Sequence, residues 1–143
     1  MTQHITNAEI VAKNRAALLN GTLGAKRGHR ECMYNYGDGS RCAVGVCLDK
    51  QTVYKLTTER YNECSVHSLL RSKKLRAENP EVLKFTQKLH DNWARGQGEY
   101  TLDAYGPYDD PNFPFLGWIT PRFNRKIDES LFSEWLNHVE TLT

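Results

Sequence analysis

Cysteine is the residue type here that most readily does chemistry, and the chain holds four: Cys32, Cys42, Cys47 and Cys64. Structural zinc wants four thiolate or imidazole ligands around a tetrahedron, normally as two close pairs. Cys64-Ser-Val-His67 has that kind of spacing, so Cys64 and His67 are the metal candidates. No second close pair accompanies them, because the separation of Cys42 from Cys47 suits neither a zinc knuckle nor one helix face. The expectation is therefore no resident metal or other cofactor, with the thiols packed as small hydrophobes. Cys42 is the candidate nucleophile. It follows a glycine turn and Arg41, and a thiol at a helix start beside a cation ionises more easily. A cysteine enzyme also needs an oriented base. His67, His90 and His138 fall inside expected helices and His29 lies upstream, so the sequence leans away from catalysis.

Three other stretches could bind. Residues 21–30 are glycine-rich and carry Lys26, Arg27 and Arg30, a candidate grip for phosphate or an acidic ligand. The stretch lacks the Gly-Lys-Ser/Thr ending of a phosphate loop, and no strand precedes it. Arg71, Lys73, Lys74 and Arg76 form a short basic run that could contact a nucleic-acid backbone or serve as a contact face for another macromolecule. Residues 100–123 interleave Tyr, Phe and Trp with Gly and Pro. Phe115 and Trp118 are expected to wrap over the helices. Tyr105, Tyr108, Asp109, Asp110 and Phe113 are expected to form a partner-binding loop, since tyrosine gives large contact area at low entropic cost. The acids at 109 and 110 miss the pattern of a calcium hand.

The elements that must position these residues are mostly helices. Thr6 with Glu9 has capping-box spacing, and Asn20-Gly21 is a stop, so a helix is expected over 7–20. Asn62 or Ser65 caps a helix running to about 74. Asn79-Pro80 opens another, whose face is Val82, Phe85, Leu89 and Trp93, ending at Gly96. Asp128 caps a last helix with the stripe Leu131, Phe132, Trp135, Leu136 and Val139. Residues 32–36 read as a short strand entering a turn, and Val53, Tyr54 and Leu56 suggest a strand or irregular segment. Residues 41–48 are, after Arg41, a continuous run of small apolar residues in which periodicity does not separate buried strand from buried helix; the spacing of Val44 to Leu48 allows a tightly packed helix, where Gly45 would let another backbone approach closely. The expected fold is α+β, with three to five helices packed on a small antiparallel sheet, in a single domain over residues 1–143.

Composition sets the bounds. At 39% hydrophobic and 25% charged, the chain is that of a globular protein able to bury a core without staples. The net charge of +2 excludes a strongly basic nucleic-acid binder. It also conceals an asymmetry: residues 1–90 carry fifteen Lys/Arg against eight Asp/Glu, while residues 91–143 carry four against nine. Two oppositely charged faces are expected from this. No apolar run approaches a membrane span, and the first residues lack the pattern of a secretory signal, so a cytoplasmic location without membrane contact is expected.

The segment Cys42-Ala43-Val44-Gly45-Val46-Cys47 resembles the Cys-Ala-Leu-Gly-Ala-Leu or Cys-Cys-Leu-Gly-Val-Leu signature of small phage and bacterial proteins without an assigned activity. In them a helix and a glycine-containing loop precede the signature, as residues 7–30 do here, and a His-Asp similar to His90-Asp91 recurs in part of the group. The resemblance implies a phage-type protein working in the host cytoplasm. The expected function is accordingly a non-enzymatic accessory that binds a host protein or complex, as a takeover or anti-defence inhibitor. Nucleic-acid binding through the basic first two-thirds is the alternative. A small-ligand or cysteine-dependent function is the third.

Overall fold

The computed structural model describes residues 2–23, 34, 37, 39–62, 64–96 and 99–143. The strand expected at 32–36 and the loop bearing Lys26, Arg27 and Arg30 lie outside the described residues, apart from Tyr34 and residues 21–23. Six α-helices carry the described chain: α1 (Asn7–Asn20), α2 (Lys50–Thr58), α3 (Val66–Arg71), α4 (Pro80–Gly96), α5 (Leu116–Ile119) and α6 (Glu129–Thr141). Each long helix begins where its cap stands. The Thr6 side chain accepts the Glu9 N–H, and the Asp128 side chain accepts the Leu131 N–H at 2.9 Å. At the far end of α1, Gly21 adopts φ 67°, the left-handed conformation that ends a helix without strain in glycine.

The expected antiparallel sheet is not what forms. The described sheet is two short parallel strands, β1 (His4–Ile5) and β2 (Arg76–Ala77), paired His4 to Arg76 and Ile5 to Ala77. The physical reason lies in the two segments that could have supplied strands. Asp49 accepts the Thr52 N–H at 2.7 Å and nucleates α2, so Val53 and Leu56 become one buried helix side and Tyr54 points outward. Residues 45–47 close into a single 3₁₀ turn. The fold is thus mostly helical, and β1 simply runs beside the exit of α3. Among the described residues, antiparallel pairing survives only as the bridge Thr101–Lys126, which ties the ends of the aromatic segment together. No helix among the described residues is long and apolar enough to cross a membrane.

One hydrophobic core takes side chains from Ile5 to Val139. Its centre is aromatic. The Phe85 ring on α4 stands edge-on to Trp135 on α6, with centroids 4.6 Å apart, and touches Tyr108, Phe113, Phe115 and Trp118 of the wrap. Trp135 Nε1–H donates to Thr86 Oγ1 at 2.8 Å, and the Thr86 hydroxyl donates to Val82 O at 2.7 Å, so these two buried polar side chains are satisfied. Phe115 and Trp118 are buried as expected.

Gly45 is held at backbone contact. A Cβ at this position would stand 2.2 Å from Tyr34 O. Gly45→Ala should therefore destabilise the protein by about 2 kcal/mol or more, because the obstacle is backbone and not a movable side chain. Urea unfolding would check this, and an unchanged midpoint would contradict it.

Candidate functional site

The signature is a packing device. Cys42 is fully buried, and the Gly45 N–H donates to its Sγ at 3.4 Å. Cys47 is enclosed as well: its thiol donates to Ala43 O at 3.5 Å, and Asn14 Nδ2 donates to Ile10 O at 2.9 Å and to Ala43 O at 3.1 Å beside it. Burial pushes both thiols up to about 12. A thiol in that state stays protonated at neutral pH and is a poor nucleophile. The Val44 N–H donates to Gln87 Oε1 at 2.9 Å, and Gln87 Nε2 donates to Asp91 Oδ1 at 2.6 Å, which docks the signature on α4. Cys42 precedes a turn of three residues, not a long helix.

The other metal and loop candidates disperse. His67 is exposed on α3 and Cys64 is half-buried, and among the described residues no three His, Cys, Asp or Glu side chains gather to hold a metal. The aromatic loop divides in two. Tyr105 is 93% exposed, and Asp109 and Asp110 are exposed beside it. Tyr108 is only 4% exposed and Phe113 is half-buried, both stacked edge-on against Phe85. Two of the five residues expected to meet a partner are thus wall, not surface.

The basic run behaves differently, because it acquires a third element. Lys73 and Lys74 at the exit of α3 and Lys55 on α2 border one depression of about 220 Å³, whose floor includes Gln3, Asp49 and Thr52. Residues near the N-terminus stitch that floor. Gln3 Oε1 accepts the Asp49 N–H at 2.9 Å, Gln3 Nε2 donates to Cys47 O at 2.8 Å, and the Thr2 hydroxyl donates to Lys73 O at 3.0 Å. Lys74 is committed in part: it pairs with Glu59 at 3.3 Å and lies over the Tyr61 ring at 5.1 Å. Lys55 and Lys73 have no carboxylate partner among the described residues. The Asp49 carboxylate is occupied by the Thr52 N–H, which holds its pKa below the ordinary value. Arg71 and Arg76 are exposed nearby in the chain, on α3 and β2. Sequence reasoning missed Lys55, whose signal is its place nearly two turns after the Asp49 cap, visible only once α2 is read as a helix.

Comparison with family models, with curated proteins and with solved structures finds no match to this chain.

The thiol environment makes a direct prediction. Iodoacetamide at neutral pH should leave Cys42 and Cys47 unmodified in the folded protein, and both should label once the chain is unfolded in urea. Mass mapping of the peptides reads this, and rapid labelling of folded Cys42 would return it to the catalytic candidates.

Proposed function

We propose that this protein is a phage-type accessory that acts by binding an acidic macromolecular partner in the host, and that its contact face is the basic depression bordered by Lys55, Lys73 and Lys74. The observation that carries the reading is the convergence of two lysines without carboxylate partners among the described residues, Lys55 and Lys73, and the partly engaged Lys74 on one depression built from α2, the α3 exit and the N-terminal residues. Ammonium groups held together in this way raise the local concentration of an acidic partner and steer its approach. The Cys42 environment argues for binding over thiol chemistry, since a buried, protonated sulfur attacks nothing at neutral pH.

An acidic protein surface is the first choice of partner. A nucleic acid is the second reading, favoured by one feature: Tyr54 is 73% exposed on α2 next to Lys55, and an exposed ring beside basic residues suits base stacking.

The test is a titration with a glutamate-rich peptide and with a single-stranded oligonucleotide of equal charge, at low and high salt. Binding should weaken as salt rises, and the triple variant Lys55→Gln, Lys73→Gln, Lys74→Gln should bind at least ~10-fold more weakly. Its melting temperature should barely move, because the one ion pair it breaks among the described residues, Lys74–Glu59, is partly solvated. Undiminished binding by the triple variant would refute the assignment of this face.

A further inference from the structure

The acidic tip of the aromatic segment and the basic depression are opposite in charge and separate in the fold. Tyr105 stands 93% exposed at the tip, with Asp103, Asp109 and Asp110 exposed around it. None of the three aspartates has a cationic partner among the described residues. The tip is held in shape by its own backbone. The Tyr105 N–H donates to Asp103 Oδ1 at 2.7 Å, the Asn112 N–H donates to Asp110 Oδ1 at 2.9 Å, and a 3₁₀ turn spans Pro107–Asp109 between them. Tyr108 and Phe113 root the loop on Phe85, and the Thr101–Lys126 bridge closes its base. A ring carried on a pre-ordered loop loses little freedom on binding. The depression offers the complement. Lys55 and Lys73 have no carboxylate partner among the described residues. Lys74 already lies 5.1 Å from the centroid of the Tyr61 ring, so an ammonium of this rim engages a tyrosine face. No residue of the tip lines the depression, so the two do not meet within one copy.

We infer that the depression takes the acidic tip of a second copy of this chain, with Tyr105 entering between the lysines and the tip aspartates facing Lys55 and Lys73. The inference rests on the reading of the depression as an acid-binding face and names the segment that fits it. Charge complementarity sets the orientation, since unpaired ammoniums on one copy meet unpaired carboxylates on the next. Size agrees: the depression holds about 220 Å³, and a cavity of about 150 Å³ accommodates a benzene ring. Among the described large hydrophobic side chains Tyr105 is the most exposed, so it is the ring free to enter. The contact joins two different patches and is head-to-tail, so each copy that uses its depression keeps its tip for another neighbour. A single loop tip buries less than a stable dimer needs, so a Kd of about 0.5 mM is expected, and at tens of micromolar the chain is a monomer with both faces open. At high local concentration the tip competes with any other acidic partner for the same lysines.

Sedimentation velocity reads the contact directly. In low salt the weight-average mass should rise about 1.5-fold or more between about 20 µM and about 1 mM protein, and salt of about 0.5 M should cancel the rise. The depression variant Lys55→Gln, Lys73→Gln, Lys74→Gln and the tip variant Tyr105→Ala, Asp109→Asn, Asp110→Asn should each stay monomeric at the higher concentration, with melting temperatures close to the parent's. Mixed in equal amounts, the two variants should associate again but stop at a pair, because each then keeps one working face. Excess glutamate-rich peptide should return the parent chain to monomer. A parent whose mass does not rise, a rise that survives in either variant, or a mixture that stays monomeric would overturn the inference. The tip variant keeps its depression and should bind the glutamate-rich peptide as the parent does. Peptide binding without self-association therefore removes this inference alone, whereas undiminished peptide binding by the depression variant removes the proposed contact face.

Discussion

The edge-to-face contact of Phe85 with Trp135 is the constraint on which the rest of the molecule depends. Such pairs contribute about 0.5–1.5 kcal/mol beyond the area they bury, and here the pair is also locked by the indole hydrogen bond to Thr86. That bond fixes the rotation of α4 against α6. Once the rotation is fixed, four successive residues of α4 are each committed to a different job. Phe85 faces the aromatic wrap, Thr86 holds Trp135, Gln87 receives the Val44 amide, and Lys88 lies over the Tyr108 ring. A helix sends consecutive side chains around its circumference, so one well-seated helix can organise three neighbours at once.

The signature segment shows how a sequence can look chemical and be structural. Sulfur, glycine and small residues crowd together at 42–47 because a backbone passes within contact of Gly45, and any larger side chain would displace it. The thiols fill the remaining volume. Their polar demands are met locally by the Gly45 amide and the Ala43 carbonyl. The same segment then leads through Asp49 into α2, which carries Lys55 to the depression. Core packing and the basic face are therefore linked by a few residues of chain.

Much of this was legible in the sequence, and the rest was hidden for identifiable reasons. Thr6, Asn79-Pro80 and Asp128 announced three helices, because capping is local chemistry and needs no tertiary information. Gly45 was read as a close approach, and it is one. The segment Val53–Leu56 was misread because its β-branched and aromatic residues favour strands in isolation, whereas its cap and its packing against the core decided for helix. The parallel pair β1–β2 was invisible because two-residue strands far apart in the chain leave no periodic signature. In the aromatic wrap, glycine and proline correctly announced irregular backbone, but composition does not say which ring turns inward. Tyr105 and Tyr108 are three residues apart, and one is in solvent while the other is in the core. The depression itself needed three dimensions, since Lys55 joins Lys73 and Lys74 only through the packing of α2 beside the α3 exit.

Two faces are candidates for the proposed macromolecular contact: the basic depression, and the tip at Tyr105, Asp109 and Asp110. An amide-resolved NMR titration of the intact protein with the glutamate-rich peptide separates them in one experiment. The basic-face account predicts that the largest shifts fall on residues around Lys55, Lys73 and Lys74, with the amides near Tyr105 unmoved. Shifts centred on Tyr105 and its acidic neighbours, with the depression silent, would contradict it.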